Sequence, residues 1–251
     1  MGIAALLSGA SAYYALDVVR YAHNETNLVV LEELARLFGN REPIPGDAEY
    51  PQVQPKLESY DFPEHIIGSK AMDKLLAPSR LEAIRQGLTG GREAGPIRIC
   101  YRAPWHDMSV VEPGSVDMIF SQAVLEYVPD LERTYAAMNR WLREGGFVSL
   151  AIDYQSHGTA ATWDGHWAYS DLAWRLMRGN RPYYLNRRPH SKHMRMLKDA
   201  GFVAVCELRS RRDSQTARQA FARPFRGMSE EDRTTNGAVI QARKLPAEAS
   251  A

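Results

Sequence analysis

Residues 115–152 constrain the fold most, because two apolar strand-like segments flank a single helix-like segment there. The sequence predicts strands over 116–120 and 147–152 and a helix over 129–143 that begins with a proline and ends at the glycines of "LREGGF". Two strands joined through a helix lie parallel in one sheet, since a crossover connection is needed between them. The segment therefore predicts an α/β fold.

The same alternation continues through most of the chain. Apolar strand patterns and helical periodicities follow one another, with strands predicted over 12–16, 97–101, 202–208 and 238–242 and helices over 3–7, 27–38, 70–88 and 191–200. This order predicts a Rossmann-like, doubly wound and mostly parallel sheet. The last two strands are joined without a helix, so we expect the last strand to be antiparallel, at or near the edge of the sheet.

Composition narrows the classes of function. The chain has 251 residues and a formal net charge of +1, so no general attraction to nucleic acid or to an anionic membrane is expected. No segment is long and apolar enough to span a bilayer. Cys100 and Cys206 lie far apart in apolar segments, which favours free thiols over a disulfide. We expect a cytoplasmic protein.

Polar residues follow two of the predicted strands. Asp17 comes directly after the first strand, and Ser121 and Gln122 come after the third. In open α/β sheets, ligands lie beyond the carboxyl ends of the strands. The pair Ser121 and Gln122 is therefore either a plain turn or the lip of a binding cleft.

The segments "VDMIFSQAVLEYV" and "LREGGFVSL" carry a family resemblance. In this order and spacing they resemble the middle of class I S-adenosylmethionine-dependent methyltransferases of the broad type 11 kind. The similarity covers about residues 2–152 and extends more loosely to "LKDAGFVAV" and "GAVIQARK". It implies a methyltransferase with S-adenosylmethionine as its cofactor. It also implies a single domain over residues 1–251, with an irregular and helical insertion at about 41–95 and an aromatic-rich, lid-like insertion at about 154–190.

The resemblance assigns cofactor-binding roles to four residues near the first two predicted strands. Asp17 takes the position of the acidic residue that grips the ribose hydroxyls, a task that suits the two oxygens of one carboxylate. Asp107 takes the position of the residue that accepts from the adenine amino group, and Trp105 and His106 are placed to cover the adenine face. From the residues alone, Asp17 is equally a polar strand end, Trp105 a core residue and Asp107 a helix N-cap.

The same family pattern makes Ser121 and Gln122 the lip of the cleft that faces cofactor and acceptor. Glu126, a few residues later, is expected to be a solvated helix residue. The family's first strand and glycine-rich loop have no counterpart in the sequence, and Gly2 is expected to be the last glycine of that loop. Either the sheet closes up around the missing strand or the chain is an N-terminally truncated form, and truncation is the favoured interpretation.

Histidines supply the candidate catalytic group. If the acceptor is a hydroxyl, a general base within hydrogen-bond reach assists methyl transfer. His157, just after a predicted strand, is the best-placed candidate, with Tyr154 and His166 behind it. His190 and His193 have helical i, i+3 spacing but lack neighbouring ligands, so they are expected at the surface and no metal site is predicted.

The sequence bounds the acceptor only broadly. The N/D-P-P-F/Y motif of enzymes that methylate nucleic-acid bases or glutamine amides is absent after the third predicted strand. A small molecule, a lipid or a glycan-type acceptor is therefore expected, and no nucleic acid. The aromatic-rich segment 163–184 is either a lid over the acceptor or a satellite core that holds a helix down. The sequence leaves the oligomeric state open.

Two other functions have similar sequence patterns. A methyltransferase-like binding or scaffold protein that has lost cofactor binding would keep the same strands and helices. An NAD(P)-dependent oxidoreductase also carries an acidic residue after its second strand. The segment "LREGGFVSL", the closing strand pair and the lack of a recognisable Tyr-x-x-x-Lys pair argue against the oxidoreductase.

Overall fold

The computed structural model describes residues 1–20, 23–90, 95–105, 107–181 and 183–246. The chain forms two compact units, Met1–Val110 and Val111–Ala251, and each unit has its own β-sheet. None of the helices in the described residues is long and apolar enough to cross a lipid bilayer. Both cysteines are free thiols, as the sequence predicted.

The unit of residues 1–110 contains a two-stranded parallel sheet of β1 (Ala12–Leu16) and β2 (Arg98–Arg102). Its helices are α1 (Gly2–Leu7), α2 (Asn24–Asn40), α3 (Ser69–Leu75) and α4 (Pro78–Gly90). Apolar side chains from α1, α2 and α4 share one core with the segment that leads into β2, and its buried members are Leu6, Leu7, Leu31, Ile84 and Ile97. The predicted strand over 12–16 is confirmed.

The described residues of the unit 111–251 form four strands and four α-helices. The strands are β3 (Val116–Gln122), β4 (Leu142–Asp153), β5 (Phe202–Arg211) and β6 (Thr235–Lys244), and the helices are α5 (Leu131–Trp141), α6 (Asp171–Arg178), α7 (His190–Asp199) and α8 (Glu230–Thr234). The strand order is β3-β4-β6-β5. β3 and β4 are parallel, whereas β6 lies between β4 and β5 and is antiparallel to both. The predicted Rossmann-like α/β class and the antiparallel last strand are confirmed, with β5 at the edge.

The polar pair after the apolar part of β3 does not end the strand. Ser121 and Gln122 continue β3 and pair with Leu150 and Ala151 of β4. Both residues therefore belong to the strand, which has β4 on one side only. The plain turn expected at this pair lies one residue further along the chain.

The helix expected over 129–143 is shorter than predicted. Asp130 is its N-cap, because its carboxylate accepts a hydrogen bond from the Arg133 N–H at 3.0 Å, so Pro129 is not the first helical residue. The helix ends at Trp141, and the glycines expected to cap it lie inside β4. Gly145 takes a left-handed φ of 69° there, which glycine adopts without strain.

One edge of β1 and one edge of β3 pair with no strand in the described part of the chain. β1 pairs with β2, and β3 pairs with β4. The missing first strand, the truncated form and the single domain over 1–251 with its two insertions stay predictions.

Candidate active site

The candidate active site in the unit of residues 111–251 lies where the parallel strands β3 and β4 end. The chain turns at Ala123, whose φ of 51° is left-handed and rare for a residue with a Cβ. Its N–H still donates to the Ala151 carbonyl at 2.9 Å. A short 3-10 turn, Leu125–Tyr127, follows. Backbone conformations of this kind persist only where the surroundings hold them, and they cluster at functional sites.

Asp153, His157 and Tyr127 form a connected chain of side chains at this end of the sheet. Tyr127 Oη lies 3.0 Å from His157 Nδ1, and the two rings meet edge to face with centroids 5.5 Å apart. Asp153, the last residue of β4, places Oδ2 3.4 Å from His157 Nε2. His157 has a left-handed φ of 47°. The predicted candidate base thus contacts Tyr127 through Nδ1 and has the Asp153 carboxylate near Nε2.

A polar pocket of about 350 Å³ opens beside this chain of side chains. Asp153 and His157 are part of its wall, and the other polar lining residues include Ser156, Thr162, Arg212 and Gln215. This volume lies at the lower end of the range for small-molecule sites. Groups that donate and accept hydrogen bonds dominate the wall, so the pocket suits a polar ligand better than an apolar one.

Asp164 anchors the segment that brings Gln215 to the pocket. It is fully buried. Its Oδ2 accepts from Ser214 Oγ at 2.7 Å and from the N–H groups of Gln215 and Thr216 at 3.0 and 3.1 Å, and its Oδ1 accepts from Thr216 Oγ1 at 2.7 Å. Burial by itself raises the pKa of Asp164, but the hydrogen bonds from Ser214 and Thr216 outweigh it and the pKa is lowered. Asp164 therefore holds this part of the wall as an ionised carboxylate.

Glu126 is buried, and the expectation of a solvated side chain is wrong. It is 3% exposed, and neither carboxylate oxygen has a hydrogen-bond partner among the described residues. Glu126 and His166, whose Nδ1 is also unpaired, line a cavity of about 10 Å³, room for one water molecule. Burial first, and the Asp153 carboxylate second, raise the pKa of Glu126 to about 7. Asn186 holds the turn in place by donating its N–H to the Glu126 carbonyl at 2.8 Å.

Replacing Glu126 by glutamine is expected to remove a pH dependence of stability. A carboxyl group whose pKa rises on folding favours the folded state only while it is protonated, so the wild-type free energy of unfolding falls as the pH rises from about 4.5 to about 7. Glutamine keeps the shape without the charge. Glu126→Gln is therefore expected to exceed the wild type in stability above pH 7 by up to about 3 kcal/mol.

Urea unfolding at a series of pH values measures this effect. Glu112→Gln, which changes an exposed carboxylate of the same unit, serves as the matched control and is expected to keep the wild-type pH dependence. The same pH dependence in Glu126→Gln as in the wild type would show that Glu126 does not change its ionisation on folding.

His190 and His193 are buried, and their expected place at the surface is wrong. His190 lies 3.1 Å from Tyr154 Oη through Nδ1 and 2.9 Å from Glu207 Oε1 through Nε2, and His193 Nδ1 lies 2.9 Å from Tyr135 Oη. Burial lowers the pKa of His193 to about 3, so this imidazole is neutral. No group of three His, Cys, Asp or Glu side chains is arranged for a metal ion in the described residues.

The aromatic-rich segment contributes to a satellite core. Trp163 and Trp167 pack with Phe221 and Met228, and the fully buried Trp167 donates its Nε1–H to the Arg187 carbonyl at 3.0 Å. This packing supports one of the two predicted alternatives. A role of the segment as a lid over the acceptor stays a prediction.

In the unit of residues 1–110, Asp17 and Trp105 meet at the carboxyl ends of β1 and β2. Asp17 Oδ1 accepts from the Val18 N–H at 2.7 Å, and Oδ2 has no partner among the described residues. The Trp105 N–H donates to the Asp17 carbonyl at 3.2 Å. Asp107 Oδ1 accepts from the Ser109 N–H, and Asp107 Oδ2 accepts from the Ser109 hydroxyl. These hydrogen bonds support the N-cap alternative for Asp107.

The other predicted cofactor residues have separate places. Gly2 is the first residue of α1 and is buried. A Cβ at this position would overlap the ring of Tyr13, so the packing of Tyr13 is enough to require a glycine here. His106 lies outside the described residues. Ser121 and Gln122 lie at the end of β3. The roles assigned to all these residues stay predictions.

The sheet order and the polar site at the strand ends define a Rossmann-like α/β protein with an antiparallel strand inserted beside the edge. Residues 53–150 match the model of a family described as methyltransferase domain. This match contains both segments that carried the resemblance in the sequence. This part of the chain is therefore similar to a methyltransferase domain.

Solved structures similar to this chain include methyltransferases. An S-adenosylmethionine-dependent methyltransferase from Methanosarcina mazei is 16% identical, with 71% of this chain and 79% of that chain covered and a TM-score of 0.40. One from Mesorhizobium loti is 18% identical, with 71% and 77% covered and a TM-score of 0.36. Phosphoethanolamine N-methyltransferase 2 from Haemonchus contortus is 18% identical, with 68% and 41% covered and a TM-score of 0.37. These TM-scores are too low to transfer any site residue or acceptor to this chain. No curated protein matches the chain in sequence.

Proposed function

We propose that the chain is an S-adenosylmethionine-dependent methyltransferase. Its acceptor is a hydroxyl group of a small polar molecule, and His157 is the general base. The observation that carries the proposal is the connected chain of Asp153, His157 and Tyr127, of which Asp153 and His157 line the 350 Å³ pocket. S-adenosylmethionine supplies, when bound, a methyl group on a positively charged sulfur. The protein's own residues must then hold the acceptor in line and remove its proton.

His157 is proposed to take the proton on Nε2. When Nδ1–H donates to Tyr127 Oη, Nε2 keeps its lone pair. The 3.4 Å between Nε2 and Asp153 Oδ2 exceeds a normal hydrogen-bond length, so an acceptor hydroxyl can approach Nε2. The nearby Asp153 carboxylate then stabilises the imidazolium that forms through its opposite charge.

Asp17 is proposed to hold the ribose hydroxyls of the cofactor. Its support is the oxygen that has no partner among the described residues, at the carboxyl end of a parallel strand. A carboxylate oxygen in this state is the acceptor that a ribose hydroxyl requires. Trp105, Asp107, Ser121 and Gln122 remain candidates for cofactor contacts on their positions at the strand ends.

The pocket supports a small-molecule or glycan-type acceptor more than a long apolar one. Ser156, Thr162 and Gln215 offer hydrogen bonds, and Arg212 adds a positive charge that favours an acceptor with an anionic group. The proposal also places the enzyme in the cytoplasm, because both cysteines are free and a reducing compartment keeps them so.

Calorimetric titration of S-adenosylhomocysteine tests the cofactor part of the proposal. The wild-type chain is expected to bind with a Kd on the order of micromolar. Asp17→Ala is expected to weaken binding by roughly 10- to 100-fold, because it removes hydrogen bonds to a charged group. Asp73→Ala, which removes an exposed carboxylate of the same unit, is the matched control and is expected to bind as the wild type does.

Two outcomes would contradict the proposal. Equal binding by Asp17→Ala and the wild type would mean that Asp17 does not hold the ribose. No binding by a folded wild-type chain would favour the alternative of a methyltransferase-like scaffold without cofactor binding.

A further inference from the structure

The outer surface of α6 exposes two leucines beside arginines. Leu172 is 63% exposed and Leu176 is 74% exposed. Residues four apart on a helix lie on the same face, one turn from each other. The two leucines therefore form one apolar ridge that covers nothing in the described part of the chain.

The opposite face of α6 is already used for packing. Trp174 is buried, donates its Nε1–H to the Leu185 carbonyl at 3.0 Å and stacks on Tyr184 with ring centroids 4.8 Å apart. Ser170 caps the helix by accepting from the Ala173 N–H. The helix is thus fixed from the inside, and the leucines point outward from an ordered element.

Positive charges predominate in α6 and in the segment that follows it. Residues 171–188 contain five arginines and a single acidic residue, Asp171, in a chain whose net charge is +1. Asp171 is engaged by Arg187, whose Nη2 lies 2.7 Å from Oδ1. Within the described residues, Arg175, Arg178 and Arg188 form no ion pair. Positive charge is therefore concentrated in α6 and in the segment that follows it.

We propose that the outer face of α6 docks on an anionic lipid surface. Leucines that project from a convex helix need either a preformed pocket or fluid hydrocarbon to bury them, and a bilayer supplies the second directly below its charged headgroups. The arginines of this helix and of the segment after it match the negative charge of those headgroups. A second copy of this chain is a poor occupant, because the arginines of the two copies would repel each other. This inference does not rest on the proposed acceptor or on His157.

Co-sedimentation with lipid vesicles tests the inference. The full chain is expected to sediment with vesicles of phosphatidylcholine mixed with phosphatidylserine, to bind vesicles of phosphatidylcholine alone much more weakly, and to dissociate as salt is raised. Leu172→Ser/Leu176→Ser is expected to bind at least tenfold more weakly, because burial of the leucine side chains is lost. Arg175→Gln/Arg178→Gln is expected to bind the anionic vesicles roughly tenfold more weakly, or weaker still.

Matched variants test whether vesicle binding depends on this face of α6 or on exposed apolar and basic side chains in general. Leu57→Ser/Ile66→Ser removes two other exposed apolar side chains, and Arg143→Gln/Arg195→Gln removes two other exposed positive charges. Both are expected to sediment as the wild type does, and thermal unfolding checks that all variants fold. Equal sedimentation with neutral and anionic vesicles, or by the Leu172→Ser/Leu176→Ser chain and the wild type, overturns the proposal. Absence of vesicle binding at low salt also overturns it and leaves a protein partner for this face.

Discussion

Exchange of His157 for asparagine is expected to lower kcat for methyl transfer by roughly 10²- to 10⁴-fold and to leave S-adenosylhomocysteine binding unchanged. Asparagine tolerates a left-handed backbone better than alanine does, so the φ of 47° at this position is kept. Asparagine cannot remove a proton from a hydroxyl. The variant therefore separates the loss of the base from a change in the shape of the loop.

The assay follows tritium-labelled methyl groups from S-adenosylmethionine into a small-molecule extract, which offers many acceptors at once. Tyr127→Phe removes the hydroxyl that lies 3.0 Å from His157 Nδ1 and keeps the ring. Tyr127→Phe is expected to lower kcat only about tenfold, because a single positioning hydrogen bond is lost. Asp153→Asn is expected to lower kcat further than Tyr127→Phe does, because the imidazolium loses its countercharge.

Two results for His157→Asn would contradict the base assignment. Unchanged methyl transfer would mean that the acceptor needs no base or finds another one. Weakened binding of S-adenosylhomocysteine with a proportional loss of activity would assign His157 to the structure of the site.

Removal of the Asp164 carboxylate is expected to reduce the free energy of unfolding by about 3 kcal/mol or more. The fully buried carboxylate accepts hydrogen bonds from Ser214, Gln215 and Thr216. In Asp164→Ala these donors lose their acceptor and a void replaces it. The tryptophans Trp163 and Trp167 lie in the adjoining core, so urea unfolding followed by tryptophan fluorescence reports the loss.

The pH dependence gives the Asp164 prediction a second readout. A carboxyl group whose pKa is lowered by folding contributes stability above its unfolded pKa, and that contribution disappears as the pH falls through its folded pKa. The difference between wild type and Asp164→Ala is therefore expected to shrink in acid. Asp117→Ala, which breaks the exposed ion pair with Arg143, is the control and is expected to change stability by less than about 1 kcal/mol. A loss as small as the control's would show that water replaces the carboxylate in the Asp164 variant.

Local patterns predicted most elements of the fold. The strand expected over 12–16 coincides with β1, and the helix expected over 191–200 lies within one residue of α7. Both follow from apolar periodicity within the segment itself. The helix expected at Pro129 begins later because Asp130 is the better N-cap, a competition between neighbouring residues that periodicity does not resolve.

The candidate site depends more on contacts between distant segments. His157 was recognised from its position after a strand, whereas its contact with Tyr127 arises only because β3 and β4 end side by side. Glu126 was expected in solvent because its side chain is charged, and Asn186 from a later segment helps to hold its turn. His193 has a partner in Tyr135 that precedes it by 58 residues. Pairs of this kind are set by tertiary packing, which a single sequence without an alignment does not record.

The interior position of β6 determines when the four-stranded sheet can form during synthesis. β6 is made last, yet it lies between β4 and β5 and bonds to both of them. While the chain is still emerging from the ribosome, β4 and β5 each lack this neighbour and expose unpaired backbone groups and apolar side chains. The sheet is therefore completed only after translation has passed Lys244, and nascent chains that stall before that point are expected to depend on chaperones.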